Sequence, residues 1–405
     1  MSSDPRPKLR ALERFTLPTP DGGFLVLRDP LGVAPMQKIE KDLEPVLDAL
    51  DGTKTVSQIR QSLSMVHGLV LDPADFDAFV TQLERDGLLE GPGFLALRAA
   101  AVEQFEREDV RAPRAAGVLF PDDPEELAAL MGRCLPAPHD RVDADRSTRA
   151  LLTPHHDFEA AAEVLEPCIR DLPSPDAIDV IVLLGTDHAS GMRPFAITDK
   201  DYATPLGTVT TDYELADRIF TALPETQIEQ LRHRDAHSLE FPAVMLRHLY
   251  QERCPRVLPV LCGRAGFQGR DAPAARAALV EAITASVDPA RIVWWASAEL
   301  SHVGPAYGHP DGETSERLRA MARRQDQRCV HHLVAGRRVE LDRLLERSPL
   351  ELRPSGAAAI ELLLDALGPE AGAAEARYAA AEVMPQHGPS VTGWAGLVGA
   401  RFSWT

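Results

Sequence analysis

The sequence predicts an α/β protein, a layered sheet with flanking helices, preceded by a small α+β winged-helix domain. Apolar runs alternate with helical segments after residue 115, and short strand and helix patterns fill the first hundred residues. A charged stretch separates these regions, and 405 residues at about 150 per domain suggest two or three domains. We therefore divide the chain into residues 1–100, a linker at 101–114 and residues 115–405.

The composition is typical of a globular protein and argues against several other classes of protein. Hydrophobic residues make up 44% and charged residues 26%, so a sizeable core can be buried. A net charge of −18 argues against a nucleic-acid or anionic membrane surface. The sequence shows neither a signal peptide nor a membrane span. Five scattered cysteines without a CxxC pair indicate reduced thiols, so we expect a cytoplasmic protein.

The first region contains short elements with clear boundaries. FLVLR at residues 24–28 predicts a strand, and residues 39–50 predict a helix. Thr55 and Gln58 form a capping-box pattern for a helix over residues 56–64.

A third helix and a last strand complete this region. The third helix begins at Asp72-Pro73 and ends at Gly87. FLALR at residues 94–98 predicts a final strand, which would complete a winged helix.

Four apolar runs predict the strands of the second region. Helical patterns between and after them predict the covering layers. The runs are residues 150–152, 180–184, 257–261 and 292–296, and the helical patterns include residues 213–223, 273–286 and the alanine-rich stretch 357–381.

Three of these runs end in histidine with a carboxylate nearby. Ligands of open α/β sheets bind outside the carboxyl ends of the strands, so these side chains are expected to converge. Imidazole and carboxylate groups suit both a transition metal and acid–base catalysis, and the pattern leaves the two open. The candidates are His155, His156 and Asp157 after the first run, Asp187 and His188 after the second, Glu299, Ser301 and His302 after the fourth, and a separate cluster of Asp235, His237 and Glu240.

Six segments of the second region resemble the Memo family, whose relatives by fold include the class III extradiol dioxygenases. They occur in order with suitable spacing over residues 111–405. The segments are AAGVLFPDDPEEL (115–127), TPHHD (153–157), LGTDH (184–188), TPLGTVTTD (204–212), DAHSLEF (235–241) and AELSHVG (298–304).

The resemblance implies a metal site with His155 and His188 as its first two ligands. Ser301 stands where animal members have cysteine, and a hydroxyl is a far poorer ligand for copper or iron than a thiolate. A carboxylate from Glu299, Asp187 or Asp157 is therefore expected to complete the site. The extra ligand candidate His156 replaces a small residue of the family motif. Beside the metal, His237 or His302 would act in acid–base catalysis, with Asp235 and Glu240 as further catalytic candidates.

The first region resembles PqqD-like domains in LDGTKTVSQI (50–59) and LERDGLLE (83–90). Members of that class often bind a peptide against a strand edge. The alternative is an accessory winged-helix domain that binds no ligand and packs on the catalytic domain.

Three functions remain open from the sequence. The first is a redox enzyme that uses iron or copper. The second, which the resemblance to the Memo family implies, is a non-catalytic peptide- or partner-binding component of a radical SAM-associated modification system, of the AmmeMemoRadiSam system protein B type. The third is a metal-assisted hydrolase with zinc-activated water, ranked last because no hydrolase motif is present.

Overall fold

The computed structural model describes residues 5–17, 23–137, 148–189, 191–268, 270–307, 309, 313–348, 352, 354–369, 371–382 and 393–403. The chain forms two compact units, Met1–Arg107 and Glu108–Thr405. The boundary falls inside the predicted linker. Each of the five cysteines is a free thiol. No helix in the described ranges is long and apolar enough to cross a membrane.

The first unit combines a three-stranded antiparallel sheet, in the order β1-β2-β3, with four helices in its described residues. Thr55 and Gln58 form the predicted capping box, and Asp72 caps the third helix with its carboxylate. The elements are β1 Glu13–Leu17, β2 Phe24–Arg28, β3 Gln37–Glu40, α1 Glu44–Ala49, α2 Val56–His67, α3 Pro73–Arg85 and α4 Pro92–Glu106.

Two predictions for the first unit are wrong. FLALR at residues 94–98 lies inside α4, not in a strand, because Pro92 opens a helix that the following alanines continue. The strand that would complete the predicted winged helix is therefore absent from this segment. Ile39 belongs to β3, and the helix predicted from it begins only at Glu44.

The second unit is built on a mixed sheet. In the described residues its strands follow the order β12-β14-β5-β11-β6-β10-β7, and β13, which lies off this path, also pairs with β14. A small sheet has the order β4-β8-β9. The elements are β4 Val110–Arg111, α5 Pro124–Cys134, β5 Thr148–Thr153, α6 Phe158–Ile169, β6 Val180–Thr186, β7 Phe195–Ile197, β8 Asp201–Thr204, β9 Gly207–Val209, α7 Tyr213–Ala222, α8 His237–Tyr250, β10 Val257–Cys262, α9 Ala265–Gln268, α10 Ala272–Thr284, β11 Ile292–Ser297, β12 His302–Val303, α11 Glu313–Val334, α12 Arg338–Glu346, α13 Ala357–Leu367, β13 Glu375–Glu382 and β14 Trp394–Ser403.

The centre of this sheet is parallel and buried on both faces. Strand β11 pairs in parallel with β5 and β6, and β10 pairs in parallel with β6. Trp295 belongs to the core on one face and Trp294 to the core on the other. The four apolar runs therefore form strands that helices cover on both sides, as predicted.

The alanine-rich stretch is only partly helical. Helix α13 ends at Leu367, where Gly368 adopts a positive φ of 89°. Residues Glu375–Glu382 then form β13, which pairs antiparallel with β14. Alanine composition alone predicted a continuous helix, but Gly368 and Pro369 interrupt it.

Candidate metal centre

Two strand ends and one helix start bring three histidines together. His155 follows β5 by two residues, and His188 follows β6 by two residues. Strands β5 and β6 both pair in parallel with β11, so their carboxyl ends lie at the same edge. His237 is the first residue of α8 and reaches this edge from a different layer.

The close packing of α8 against β6 explains the position of His237. A Cβ atom on Gly185 would lie 2.6 Å from Leu239 Cγ, so only glycine admits the helix at this distance. The Ser238 hydroxyl, next to His237, donates a 2.7 Å hydrogen bond to the carbonyl of Thr186. These contacts fix the first turn of α8 beside the end of β6.

The three imidazoles form a compact group. The Nε2 atoms of His155 and His188 lie 3.1 Å apart. The ring of His237 stacks on that of His188, with centroids 4.7 Å apart and an interplanar angle of 11°. One ligand atom from each ring lies within 4.8 Å of the other two, and no other set of three such ligands gathers in the described residues.

Burial disfavours the charged form of His155. Burial lowers the pKa of His155 to about 3, His188 acts in the same direction, and Glu299 acts against it. Its Nδ1 lies 3.3 Å from the hydroxyl of Ser297, which leaves Nε2 directed at the other histidines. An uncharged imidazole held by its second nitrogen is the form that binds a metal.

The donor chemistry of this group fits a transition metal. Three imidazole nitrogens suit zinc, copper or iron, and they leave coordination positions open. His155 is buried, whereas His188 is exposed, so the group is accessible from solvent on one side. His237, predicted as an acid–base residue, stands among the ligand candidates.

A second polar group, Glu299 and His302, lies on the segment after β11. Glu299 Oε2 is 2.8 Å from His302 Nε2, and both side chains are buried. Burial acts to raise the pKa of Glu299, but the imidazoles of His155 and His302 outweigh it and lower that pKa. The ring of Tyr307 packs edge-on against that of His302, with the two ring centroids 4.8 Å apart. Neither Glu299 nor His302 contributes to the set of three clustered ligand atoms.

Two predicted metal ligands have other partners. The Asp187 carboxylate accepts hydrogen bonds from the amides of Ala189 and Gly191 and pairs with Arg232 at 3.2 Å. It holds the loop that follows His188. Ser301 donates a 2.7 Å hydrogen bond to Asp326 and is not part of the histidine group.

Glu240, predicted to be catalytic, has a structural role. Its buried carboxylate pairs with Arg111 and accepts hydrogen bonds from the amides of Arg114 and Ala115, at 3.0 and 2.8 Å. These partners occupy its oxygens, so the prediction of a catalytic group at Glu240 is not supported by its contacts. Asp235 is half exposed and pairs with Arg234 at 2.7 Å.

The remaining candidates lie on the segment after β5. Asp157 caps α6 through a 2.8 Å hydrogen bond from the amide of Ala160. His156 is buried, and its Nδ1 has no hydrogen-bond partner within the described ranges. It contributes no atom to the three-histidine group.

Sequence reasoning missed three residues that support the site: Ser297, Tyr307 and Asp326. Ser297 ends β11, and its place among the converging strand ends was the available signal. Tyr307 ends a short 3₁₀ helix, Pro305–Tyr307, and Asp326 lies in the charged helix α11, where nothing in the sequence distinguishes it.

Similarity to known proteins was found for the second unit of the chain. The family of Memo-like proteins matches residues 111–397. A MEMO1 family protein of Aquifex aeolicus is 24% identical over 306 residues, which cover 75% of this chain and 78% of the relative. A MEMO1 family protein of Archaeoglobus fulgidus is 28% identical over 200 residues, 48% of this chain and 69% of the relative. The match to a Methanosarcina acetivorans MEMO1 family protein is 28% over 194 residues, 48% and 68% of the two chains.

Proposed function

Because the chain belongs to the Memo-like protein family, we propose that it is a metal-dependent redox enzyme whose iron or copper ion is bound by His155, His188 and His237. The observation that carries this proposal is the 3.1 Å separation of the His155 and His188 Nε2 atoms, with His237 completing the group. A bound iron or copper ion would supply electron transfer and open positions for dioxygen or substrate.

The protein's own residues would bind and orient the reactants. Ser297 fixes the ring of His155, and the Ser238–Thr186 hydrogen bond fixes the helix start that carries His237. Exposed His188 marks the side from which a substrate enters. The buried Glu299–His302 pair, whose facing atoms lie 2.8 Å apart, would accept or hold a proton.

Metal content tests the proposal directly. We expect near-stoichiometric iron or copper in untagged wild-type protein by elemental mass spectrometry, and oxygen consumption that requires this metal. The His155→Ala, His188→Ala double variant is expected to lose the metal. A matched control is the His331→Ala, His332→Ala double variant, which removes another adjacent histidine pair with rings 5.5 Å apart. Equal metal content in all three proteins would refute the proposal.

Metal-assisted hydrolysis is the second candidate. The observation in its favour is the all-imidazole donor set, which is also used by catalytic zinc sites with a bound water. Stoichiometric zinc, without oxygen consumption after reconstitution with iron or copper, would select hydrolysis over redox chemistry.

A binding role with protein partners is the third candidate. In the first unit Met65, Val66 and Val70 are 78, 70 and 86% exposed, which gives an apolar surface for a peptide or protein. A pull-down with a triple serine variant of these residues as control tests whether a radical SAM protein or a peptide binds there. Equal recovery by both proteins would count against this role.

A further inference from the structure

Two buried polar atoms near the histidine group, Glu299 Oε1 and His156 Nδ1, have no hydrogen-bond partner among the residues that the structure describes. Glu299 is 5% exposed and His156 is 8% exposed. Leaving such an atom unpaired destabilises a protein, and buried polar groups are nearly always satisfied. Both side chains interact electrostatically with His155, the buried member of the histidine group, so a molecule bound there can pair with both.

Both residues are close in sequence to residues of the histidine group or of its support. His156 directly follows His155. Glu299 lies two residues after Ser297, whose hydroxyl is 3.3 Å from His155 Nδ1. The negative charge of Glu299 also acts on His155, where it opposes the lowering of the pKa by burial. A molecule bound at the three imidazoles would therefore have Glu299 and His156 as neighbours.

The second oxygen of Glu299 is already engaged with His302. His302 Nδ1 lies 3.1 Å from the carbonyl oxygen of Leu300, and a carbonyl can only accept, so Nδ1 carries a proton. His302 Nε2 then faces Glu299 Oε2 at 2.8 Å, and a second proton must lie between them. The pair is therefore uncharged as a whole, whichever of the two partners holds that proton.

We propose that Glu299 Oε1 and His156 Nδ1 form a substrate subsite for an uncharged N–H or O–H group next to the atoms that the metal binds. The proposal rests on the proposed function. Glu299 Oε1 accepts the hydrogen bond, and His156 Nδ1 pairs with the same group or its neighbour. An ammonium group is disfavoured because His302 already balances the charge of Glu299. Glu299 thus selects substrates and is not a metal ligand.

Two hydroxamates that differ in one hydrogen-bond donor test the subsite. Acetohydroxamate and N-methylacetohydroxamate bind metal through the same two oxygens, but only the first has an N–H. Both are titrated into protein loaded with Co²⁺, a visible probe of imidazole sites. We expect wild type to bind acetohydroxamate about 10-fold more tightly, as one hydrogen bond to a carboxylate provides.

Variants separate a hydrogen bond from a steric effect. Glu299→Ala should weaken acetohydroxamate binding about 10-fold and leave the N-methyl compound unchanged. If the substitution instead strengthens the N-methyl compound, the preference is steric and the proposal is overturned. Glu159→Ala, at an exposed carboxylate, should keep the preference of the wild type.

Metal uptake distinguishes failure of the subsite from failure of the proposed function. Loss of Co²⁺ from Glu299→Ala would make Glu299 a ligand and overturn the subsite alone. Equal binding of the two hydroxamates to Co²⁺-loaded wild type would also overturn only the subsite. A wild-type protein that takes up no metal ion would overturn both proposals.

Discussion

The Nε2 atoms of His155 and His188 lie 3.1 Å apart, although 33 residues separate them in the chain. Without a cation, one nitrogen must carry a proton and the other must accept it, because two lone pairs at this distance repel. A bound cation lets both nitrogens present lone pairs. The convergence of the ends of β5 and β6, which lie on either side of β11, is therefore the feature on which the proposed metal site rests.

Replacing His237 is expected to weaken metal binding strongly, whereas replacing Ser301 is expected to leave it nearly unchanged. Removing a direct ligand should weaken binding more than the roughly 10- to 100-fold seen for supporting residues. We expect His237→Ala to weaken Co²⁺ or Zn²⁺ binding more than about 100-fold, and Ser301→Ala to leave it within about 3-fold. Competition with a chromophoric chelator measures both. Retained affinity in His237→Ala would mean that the third ligand is another group.

Ser297 is expected to tune the metal through His155. Its hydroxyl orients the imidazole at Nδ1, as supporting hydrogen bonds to metal-bound histidines do. Ser297→Ala should lower metal affinity by about 10-fold without changing the stoichiometry. Ser286→Ala is the control, because that hydroxyl bonds only to the carbonyl of Ala282 in the described contacts. An equal effect in both variants would assign the loss to general destabilisation.

The sequence predicted the parts of this site that depend on local pattern. The strands before His155 and His188 are continuous apolar runs, and the carboxyl ends of parallel strands share an edge. The ligand position of His237 was not predictable, because it depends on how closely α8 packs on Gly185.

Two further features of the structure were not predictable for the same physical reason. The partner of Glu240 is Arg111, 129 residues earlier, and no local pattern connects the two. FLALR was taken for a strand because a short apolar run fits either strand or helix, and the wider context decided for helix. In each case the information lies in tertiary packing.

The Arg111–Glu240 ion pair should matter for stability and not for metal binding. Both side chains are at most 1% exposed, so Glu240→Ala leaves a buried charge without its partner. Breaking such a pair lowers the free energy of unfolding by about 3–5 kcal/mol. Urea titration at neutral pH measures this, with Glu159→Ala as a surface control expected to change it by less than about 1 kcal/mol. If Glu240→Ala folds as stably as wild type but loses metal or activity, Glu240 belongs to the catalytic machinery.

Asp326 should make the stability of the protein depend on pH. It is buried beneath Ser301 and Tyr378, and burial raises its pKa to about 6, although the hydrogen bonds from these hydroxyls act against the rise. In the unfolded chain the pKa of an aspartate is about 3.9. Between about pH 4 and pH 6 the folded state therefore binds more protons at this group than the unfolded chain does. The contribution of Asp326 to the free energy of unfolding falls as the pH rises through this range.

Asp326→Asn tests that dependence, because asparagine keeps the size and an acceptor for Ser301. At pH 7 the variant should be more stable than wild type by about 3 kcal/mol, from a pKa difference of about 2 at 1.36 kcal/mol each. Below about pH 3 the two proteins should be equally stable, since the carboxyl is then protonated in both the folded and the unfolded state. Urea unfolding curves at half-unit pH steps provide the measurement. A stability difference that stays constant across this range would show that the ionisation of Asp326 is not its cause.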